Sequence, residues 1–146
     1  MMKRIDINEL EPKAYEAMFS LDKYVGQTDV SKVHQDLIKI RASQLNGCAF
    51  CIDMHINDAL KSGELPRRLY LLNAWEKSKL FSEEEEIILK ITEKLTRIGS
   101  GLSEELYQKG TSLLGEKYMA QVIVIIAAIN AWNRIGIGTA KAPIGI

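Results

Sequence analysis

The chain has few of the residue types that carry most protein chemistry. Its 146 residues include two cysteines, two histidines and three prolines. Neither charge is in excess, because 19 lysines and arginines balance 19 aspartates and glutamates. With no net charge and no basic cluster, nothing indicates binding to nucleic acid or to an anionic membrane. The expected partners are therefore small neutral molecules or other proteins.

Targeting and nucleotide-binding signals are also missing. The N-terminus, MMKRIDINELEPK, has no apolar stretch of the kind found in signal peptides, so we expect a cytoplasmic protein. The chain has no internal repeat, no glycine-rich phosphate loop and no dinucleotide fingerprint, and we predict no bound cofactor. In a reducing cytoplasm, a pair of nearby cysteines is more often catalytic than structural.

Length and composition indicate one domain, residues 1–146, that associates with copies of itself. A chain of this size can bury roughly two thirds of its unfolded surface in a single core. Apolar residues make up 47% of the chain and charged residues 26%. A small domain this apolar is expected to hide part of its surface in a homo-oligomer.

The most informative segment is RASQLNGCAFCIDMH, residues 41–55, which holds both cysteines and one histidine. In a helix, Cys48 and Cys51 share one face and His55 lies one turn further along it. The turn dipeptide Asn46-Gly47 places Cys48 in the first helical turn, where free N–H groups and the helix dipole favour a thiolate. An imidazole at this spacing can accept a thiol proton, so the segment is typical of a dithiol redox site.

Two plainer interpretations of the cysteines stay open. They can form half of a structural zinc site, but such a site needs four ligands, and beyond them the chain offers only His34 and His55. They can also be small buried apolar residues with no reactivity.

A carboxylate from the preceding helix is the fourth candidate site residue. Asp36 lies twelve residues before Cys48, in a segment with apolar residues at 33, 37, 40 and 45. If this helix packs antiparallel against the cysteine helix, Asp36 can orient His55 and accept its proton. On its own, such an aspartate is more often a solvated charge or the partner of Lys39 or Arg41. His34 is expected at the surface or in an interface.

The apolar pattern predicts an all-α fold of six to seven helices. They are expected at about 12–25, 30–45, 48–62, 64–75, 83–98, 104–114 and 116–137. Val122–Ile129 has the residue types of a buried strand, but no partner strand is found, so it is assigned to the last helix. The uncharged part of that helix, 119–133, is shorter than the ~20 residues of a membrane span.

Other conspicuous residues have structural explanations. Ser82 and Glu85 have the spacing of a capping box, which accounts for the four glutamates 83–86 without a metal. Trp75 and Tyr70 are expected to anchor the core or an interface. Three polar residues near the end of the last helix are expected to bond the cysteine turn or a neighbouring subunit: Asn130, Asn133 and Arg134.

The segment LIKIRASQLNGCAFCIDMHINDALKSGE resembles the signature of AhpD-like alkylhydroperoxidases in the carboxymuconolactone decarboxylase family, and AINAWNRIGI is similar to the closing helix of its smaller members. The resemblance implies an AhpD-like helical bundle, usually trimeric or hexameric. It also implies a proton relay of Asp36, Cys48, Cys51 and His55. The family more usually has glutamate at the acidic position, and its best-known peroxidase has histidine where this chain has Phe50. The decarboxylase branch lacks the cysteine pair.

These expectations combine into a thiol-dependent alkyl hydroperoxidase. One cysteine attacks a peroxide, the other closes a disulfide, and an external dithiol or thiol protein restores the pair. We expect Cys48 to attack, since the start of the helix should be more exposed, and Cys51 to resolve with His55. A redox sensor or thiol-disulfide reductase without peroxide turnover is the alternative, and a metal-binding or purely structural oligomer is the third.

Overall fold

A computed structural model describes residues 2–145, and within that range every regular element is a helix. The nine α-helices are α1 (Ile7–Leu10), α2 (Pro12–Gly26), α3 (Lys32–Asn46), α4 (Ala49–Lys61), α5 (Pro66–Tyr70), α6 (Trp75–Ser78), α7 (Glu83–Thr96), α8 (Glu104–Leu114) and α9 (Glu116–Gly138). Short 3₁₀ turns follow α5 at Leu72–Ala74 and α7 at Ile98–Ser100. The predicted all-α fold is confirmed.

The helix count exceeds the predicted six to seven for two local reasons. Asp6 caps an extra turn, α1, by accepting hydrogen bonds from the backbone N–H groups of Asn8 and Glu9. The helix expected over 64–75 is instead divided by the 3₁₀ turn into α5 and α6. A helix-like apolar spacing does not distinguish a continuous helix from two short ones.

Helix α3 lies at the centre of the bundle and packs against α4, α7 and α9. One face joins α7 and α9 in the main core, with Ile38, Ile88 and Ile125 fully buried. The opposite face packs Leu37 and Ile40 against α5, the first 3₁₀ turn and Trp75. Because α3 is covered on both sides, its two ends are fixed relative to α4 and α9.

The apolar run 122–129 lies inside α9, as predicted from its length. Val122, Ile125, Ile126 and Ile129 are almost completely buried. Among residues 2–145, α9 alone is long and apolar enough to cross a membrane by length and composition, and half of its most apolar stretch is buried inside the fold. We therefore describe α9 as a core helix of the bundle.

Local signals at the helix ends fix the connections as predicted. Ser82 accepts a hydrogen bond from the Glu85 N–H, and the Glu85 carboxylate accepts one from the Ser82 N–H, which completes the capping box. Glu85 also binds Arg68, which joins α7 to α5. After α9 the chain turns back, with the Lys141 N–H bonded to the Gly136 carbonyl at 2.9 Å. The Gly-Ala-Pro composition of the tail, residues 139–146, predicts a loose segment or one that wraps a neighbour, and Ile146 of this segment lies outside the described residues.

Candidate active site

The two cysteines are joined by a disulfide at the junction of α3 and α4. Helix α3 ends at Asn46, and Gly47 takes a left-handed conformation, with φ of 72°, that glycine adopts without strain. Cys48 then caps α4 in extended backbone, and Cys51 lies in its first turn, with the two Cα atoms 5.3 Å apart. Cys48 is therefore at the helix cap, one position earlier than predicted.

Both sulfur-bearing residues are buried, but they face different surroundings. Cys48 is 2% exposed and Cys51 is 3% exposed. Cys51 lines an open cleft between α2, α4 and α9, whereas Cys48 is not part of its wall. The expectation that Cys48 is the more exposed cysteine is therefore wrong, because the end of α9 covers the helix start.

A glycine of α9 makes room for the disulfide. A methyl group added at Gly136 would lie 3.0 Å from the Cys48 Sγ and 3.5 Å from the Cys51 Sγ. The first distance is shorter than a relaxed van der Waals contact between carbon and sulfur. The α9 backbone thus packs directly on the two sulfurs, and only glycine leaves this space.

A buried network of amides holds the cysteine turn on α9. The Asn46 side chain donates to the Asn130 Oδ1 at 2.9 Å and to the Asn133 Oδ1 at 2.8 Å. Asn133 is fully buried and donates to the Ser43 Oγ at 3.0 Å. The predicted bonds from Asn130 and Asn133 to the turn are confirmed. Arg134 instead bonds the Asn130 carbonyl within α9.

His55 lies one helical turn beyond Cys51 and lines the same cleft. Burial, followed by the positive charge of Lys39, lowers its pKa to about 4. The imidazole is therefore neutral near pH 7. A neutral imidazole has a free nitrogen that can accept a proton, but a pKa of about 4 makes it a weaker base than an ordinary histidine.

Asp36 is buried at the start of α3, and its carboxylate pairs with the Lys32 ammonium four residues earlier. Burial raises the pKa of Asp36, and the bond to Lys32 opposes this shift. Among the hydrogen bonds of residues 2–145, none joins Asp36 to His55. The direct Asp36–His55 contact considered from the sequence is therefore not part of this structure.

The cleft has a volume of about 360 Å³ and mostly apolar walls. The Tyr15, Phe19 and Trp132 rings pack edge-on or tilted, with centroids 5.4 to 5.8 Å apart. Two lysines also line the cleft, and the sequence interpretation gave neither of them a role at the site: Lys39 of α3 and Lys141 of the tail. Lys39 had a detectable signal, because it lies three residues after Asp36 and so shares its helix face.

The comparisons with known proteins agree with this architecture. Residues 12–94 match the model of the carboxymuconolactone decarboxylase family, and the uncharacterized protein YdfG of Bacillus subtilis is 41% identical over 138 residues, or 94% of each chain. The chain belongs to the carboxymuconolactone decarboxylase family.

Solved structures relate this family member to AhpD-like proteins. A protein of unknown function from Agrobacterium tumefaciens, described as a candidate antioxidant defence protein AhpD, has a TM-score of 0.93 at 29% identity and covers 99% of this chain and 100% of its own. A peroxidase-related protein from Silicibacter sp. TM1040 has a TM-score of 0.79 at 18% identity, covering 88% of this chain and 69% of its own, and shows the fold alone. The AhpD-like fold inferred from the cysteine motif is confirmed.

Three other residues that the sequence analysis singled out, His34, Trp75 and Tyr70, do not line the cleft. The His34 imidazole bonds the Tyr118 hydroxyl at 2.6 Å and is half-buried. Trp75 is a buried anchor that donates to Glu93, but Tyr70 is 78% exposed and anchors nothing in the chain's own core. Within residues 2–145, no group of three or more histidine, cysteine, aspartate or glutamate side chains is arranged to hold a metal ion.

Proposed function

We propose that this protein is a thiol-dependent hydroperoxide reductase with Cys51 as the attacking sulfur. One observation carries the proposal: the Cys51 sulfur, bonded to Cys48, faces the same apolar cleft as the neutral imidazole of His55. A peroxide entering this cleft meets Cys51 first, because Cys51 lines the cleft and Cys48 does not. This order is the reverse of the one predicted from the sequence.

The reaction begins from the reduced dithiol. His55 takes the proton of Cys51, and the thiolate attacks the terminal oxygen of a hydroperoxide. The O–O bond breaks, Cys51 becomes a sulfenic acid, and the alkoxide leaves as an alcohol with the proton held by His55. The Cys48 thiol then attacks the sulfenic sulfur of Cys51. The hydroxide that it displaces leaves as water with the thiol proton, and the disulfide forms. An external dithiol or thiol protein then reduces the disulfide by thiol–disulfide exchange, becomes oxidised itself and restores both thiols.

Asp36 is proposed to support the proton transfers rather than to touch the sulfur. It is buried near the start of α3, and its raised pKa lets it exchange a proton close to neutrality more readily than an exposed aspartate. In this structure its partner is Lys32. A water chain or a side-chain rotation is therefore required for Asp36 to exchange a proton with His55.

We also propose that the protein acts in the cytoplasm as a homo-oligomer, trimeric or hexameric. Large apolar side chains remain exposed on α2 and α4 beside the cleft, with Phe19 56% exposed and Met54 40% exposed. Burial of such residues between subunits is the usual way in which an oligomer removes them from water. Light scattering coupled to gel filtration measures the mass directly, and a monomer at micromolar concentration would contradict this part of the proposal.

The test is a turnover assay with cumene hydroperoxide and an excess of a small dithiol, with peroxide loss followed over time. Cys48→Ser and Cys51→Ser are each expected to stop turnover, and His55→Gln to slow it by about 10²- to 10⁴-fold, the usual contribution of general acid–base catalysis. His34→Gln is the matched control, since His34 lies outside the cleft and should retain full activity. If the protein forms its disulfide with one equivalent of peroxide and no further peroxide is lost, the result would reject the peroxidase and favour a redox sensor.

A further inference from the structure

The cleft beside Cys51 is larger and more cationic than hydrogen peroxide requires. Its volume of about 360 Å³ lies in the range of sites for small organic ligands. Aromatic rings of Tyr15, Phe19 and Trp132 form one wall. The cleft therefore fits a ligand with an apolar body.

The two lysines of the cleft form no salt bridge with any described residue. Lys39 is half-buried at its wall, and among the described residues its ammonium group forms no salt bridge or hydrogen bond. Burial lowers the pKa of Lys39, while the negative charges of Asp36 and Asp22 act in the opposite direction and favour its charged form. A half-buried ammonium without a direct counter-ion loses part of its hydration, and an anionic ligand would offset this cost.

The second lysine and Asp22 complete the charged groups among the described residues of the cleft. The Lys141 ammonium lies over the Phe50 ring, 5.0 Å from its centroid, next to the cysteine pair. Asp22 is the one carboxylate among the described residues of the lining, and its oxygens bind the Trp132 indole N–H at 3.0 Å and not a lysine ammonium group. The cleft thus presents two ammonium groups and one carboxylate, and neither ammonium group forms a salt bridge with that carboxylate.

We propose that the cleft selects ligands that join an apolar body to a carboxylate, with Lys39 as the main anion-binding residue and Lys141 assisting it. This inference rests on the proposed function, for which it names the substrate class: organic hydroperoxides that carry a carboxylate. The apolar part packs against the aromatic wall while the carboxylate pairs with Lys39.

Binding is measured first, without any reaction, by calorimetry with two matched probes. The probes are 4-phenylbutyrate and 4-phenylbutan-1-ol, which share the ring and chain and differ in the charged end. We expect the acid to bind about tenfold more tightly than the alcohol, the factor that one partly desolvated ion pair provides. The Lys39→Met variant should lose most of this preference, Lys39→Arg should keep it, and Lys141→Met should lose a smaller part.

The matched control is Lys61→Met, an exposed lysine at the end of α4 that does not line the cleft. It should bind both probes as the unmodified protein does. Equal affinity of the unmodified protein for acid and alcohol, failure to bind either probe, or an unchanged preference in Lys39→Met would overturn the proposal. If Lys39→Met does not fold, Lys39→Gln takes its place. An unchanged preference for the acid over the alcohol in both single variants, Lys39→Gln and Lys141→Met, would overturn the proposal.

Turnover separates this inference from the proposed function. Linoleic acid hydroperoxide and its methyl ester are compared as substrates, and the acid is expected to have about tenfold higher kcat/KM in the unmodified protein. Turnover of both at the same rate would overturn the carboxylate preference while leaving the peroxidase intact. Acid-selective binding without turnover of any hydroperoxide would support the anion site and reject the peroxidase.

Discussion

Replacing Gly136 with alanine tests the contact between α9 and the disulfide. The added methyl group lies 3.0 Å from the Cys48 Sγ and 3.5 Å from the Cys51 Sγ, so either the sulfurs or the α9 backbone must move. Insertion of one methyl group into a well-packed core costs about 1–3 kcal/mol. Alanine in a helix also gains up to about 1 kcal/mol over glycine, which partly hides this cost.

Gly138 provides the matched control for this prediction. It belongs to the same helix, and a methyl group added there meets no atom within 4 Å. We expect Gly136→Ala to be less stable than Gly138→Ala by about 1–3 kcal/mol in urea unfolding of the oxidised protein. The difference in stability between the two variants should be smaller in the reduced protein, because two separate thiols can rotate away from the methyl group. Equal stability of the two oxidised variants would refute the assigned contact.

Two further predictions concern the buried groups of the site. The pKa of His55 is about 4 in the folded protein and near 6.5 when unfolded, so the unfolded chain binds the proton first. The stabilising effect of the neutral imidazole is therefore fully present above about pH 6.5, and the free energy of unfolding falls by at most about 3 kcal/mol as the pH drops towards 4. In the His55→Gln variant the free energy of unfolding should fall less steeply over this pH range. Equal slopes for the variant and the unmodified protein would contradict the assigned pKa shift. Asn133→Ala leaves Asn46 and Ser43 each short of a buried partner and should cost about 1–3 kcal/mol, while the exposed Asn57→Ala should change stability by less than about 0.5 kcal/mol. Similar costs for the two asparagine variants would argue against the network.

Signals that depend on neighbouring residues in the sequence predicted much of the fold. The capping box of Ser82 and Glu85, the turn at Asn46-Gly47 and the helical assignment of 122–129 are all confirmed. Each depends on backbone chemistry within a few residues, which tertiary packing did not override. The cysteine spacing likewise predicted that the two sulfurs lie close together, although Cys48 caps α4 in extended backbone and is not on a face of the helix.

Features that depend on distant packing were not predictable in the same way. The sequence indicated that Cys48 is exposed, but the covering group is the backbone of Gly136, 88 positions later, and glycine leaves no hydrophobic signal. The sequence suggested Lys39, Arg41 or His55 as the partner of Asp36, whereas in the folded chain its carboxylate pairs with Lys32. The single-domain organisation over 1–146 and the catalytic roles of Asp36, Cys48, Cys51 and His55 stay predictions.

The central claim is that Cys51 reacts with the peroxide and that Cys48 resolves. The direct measurement is mass spectrometry of the reduced Cys48→Ser and Cys51→Ser proteins after one equivalent of cumene hydroperoxide in the presence of dimedone, which traps sulfenic acids. We predict dimedone on Cys51 in the Cys48→Ser protein and none on Cys48 in the Cys51→Ser protein. Labelling of Cys48 in Cys51→Ser, with Cys51 unlabelled in Cys48→Ser, would contradict the account.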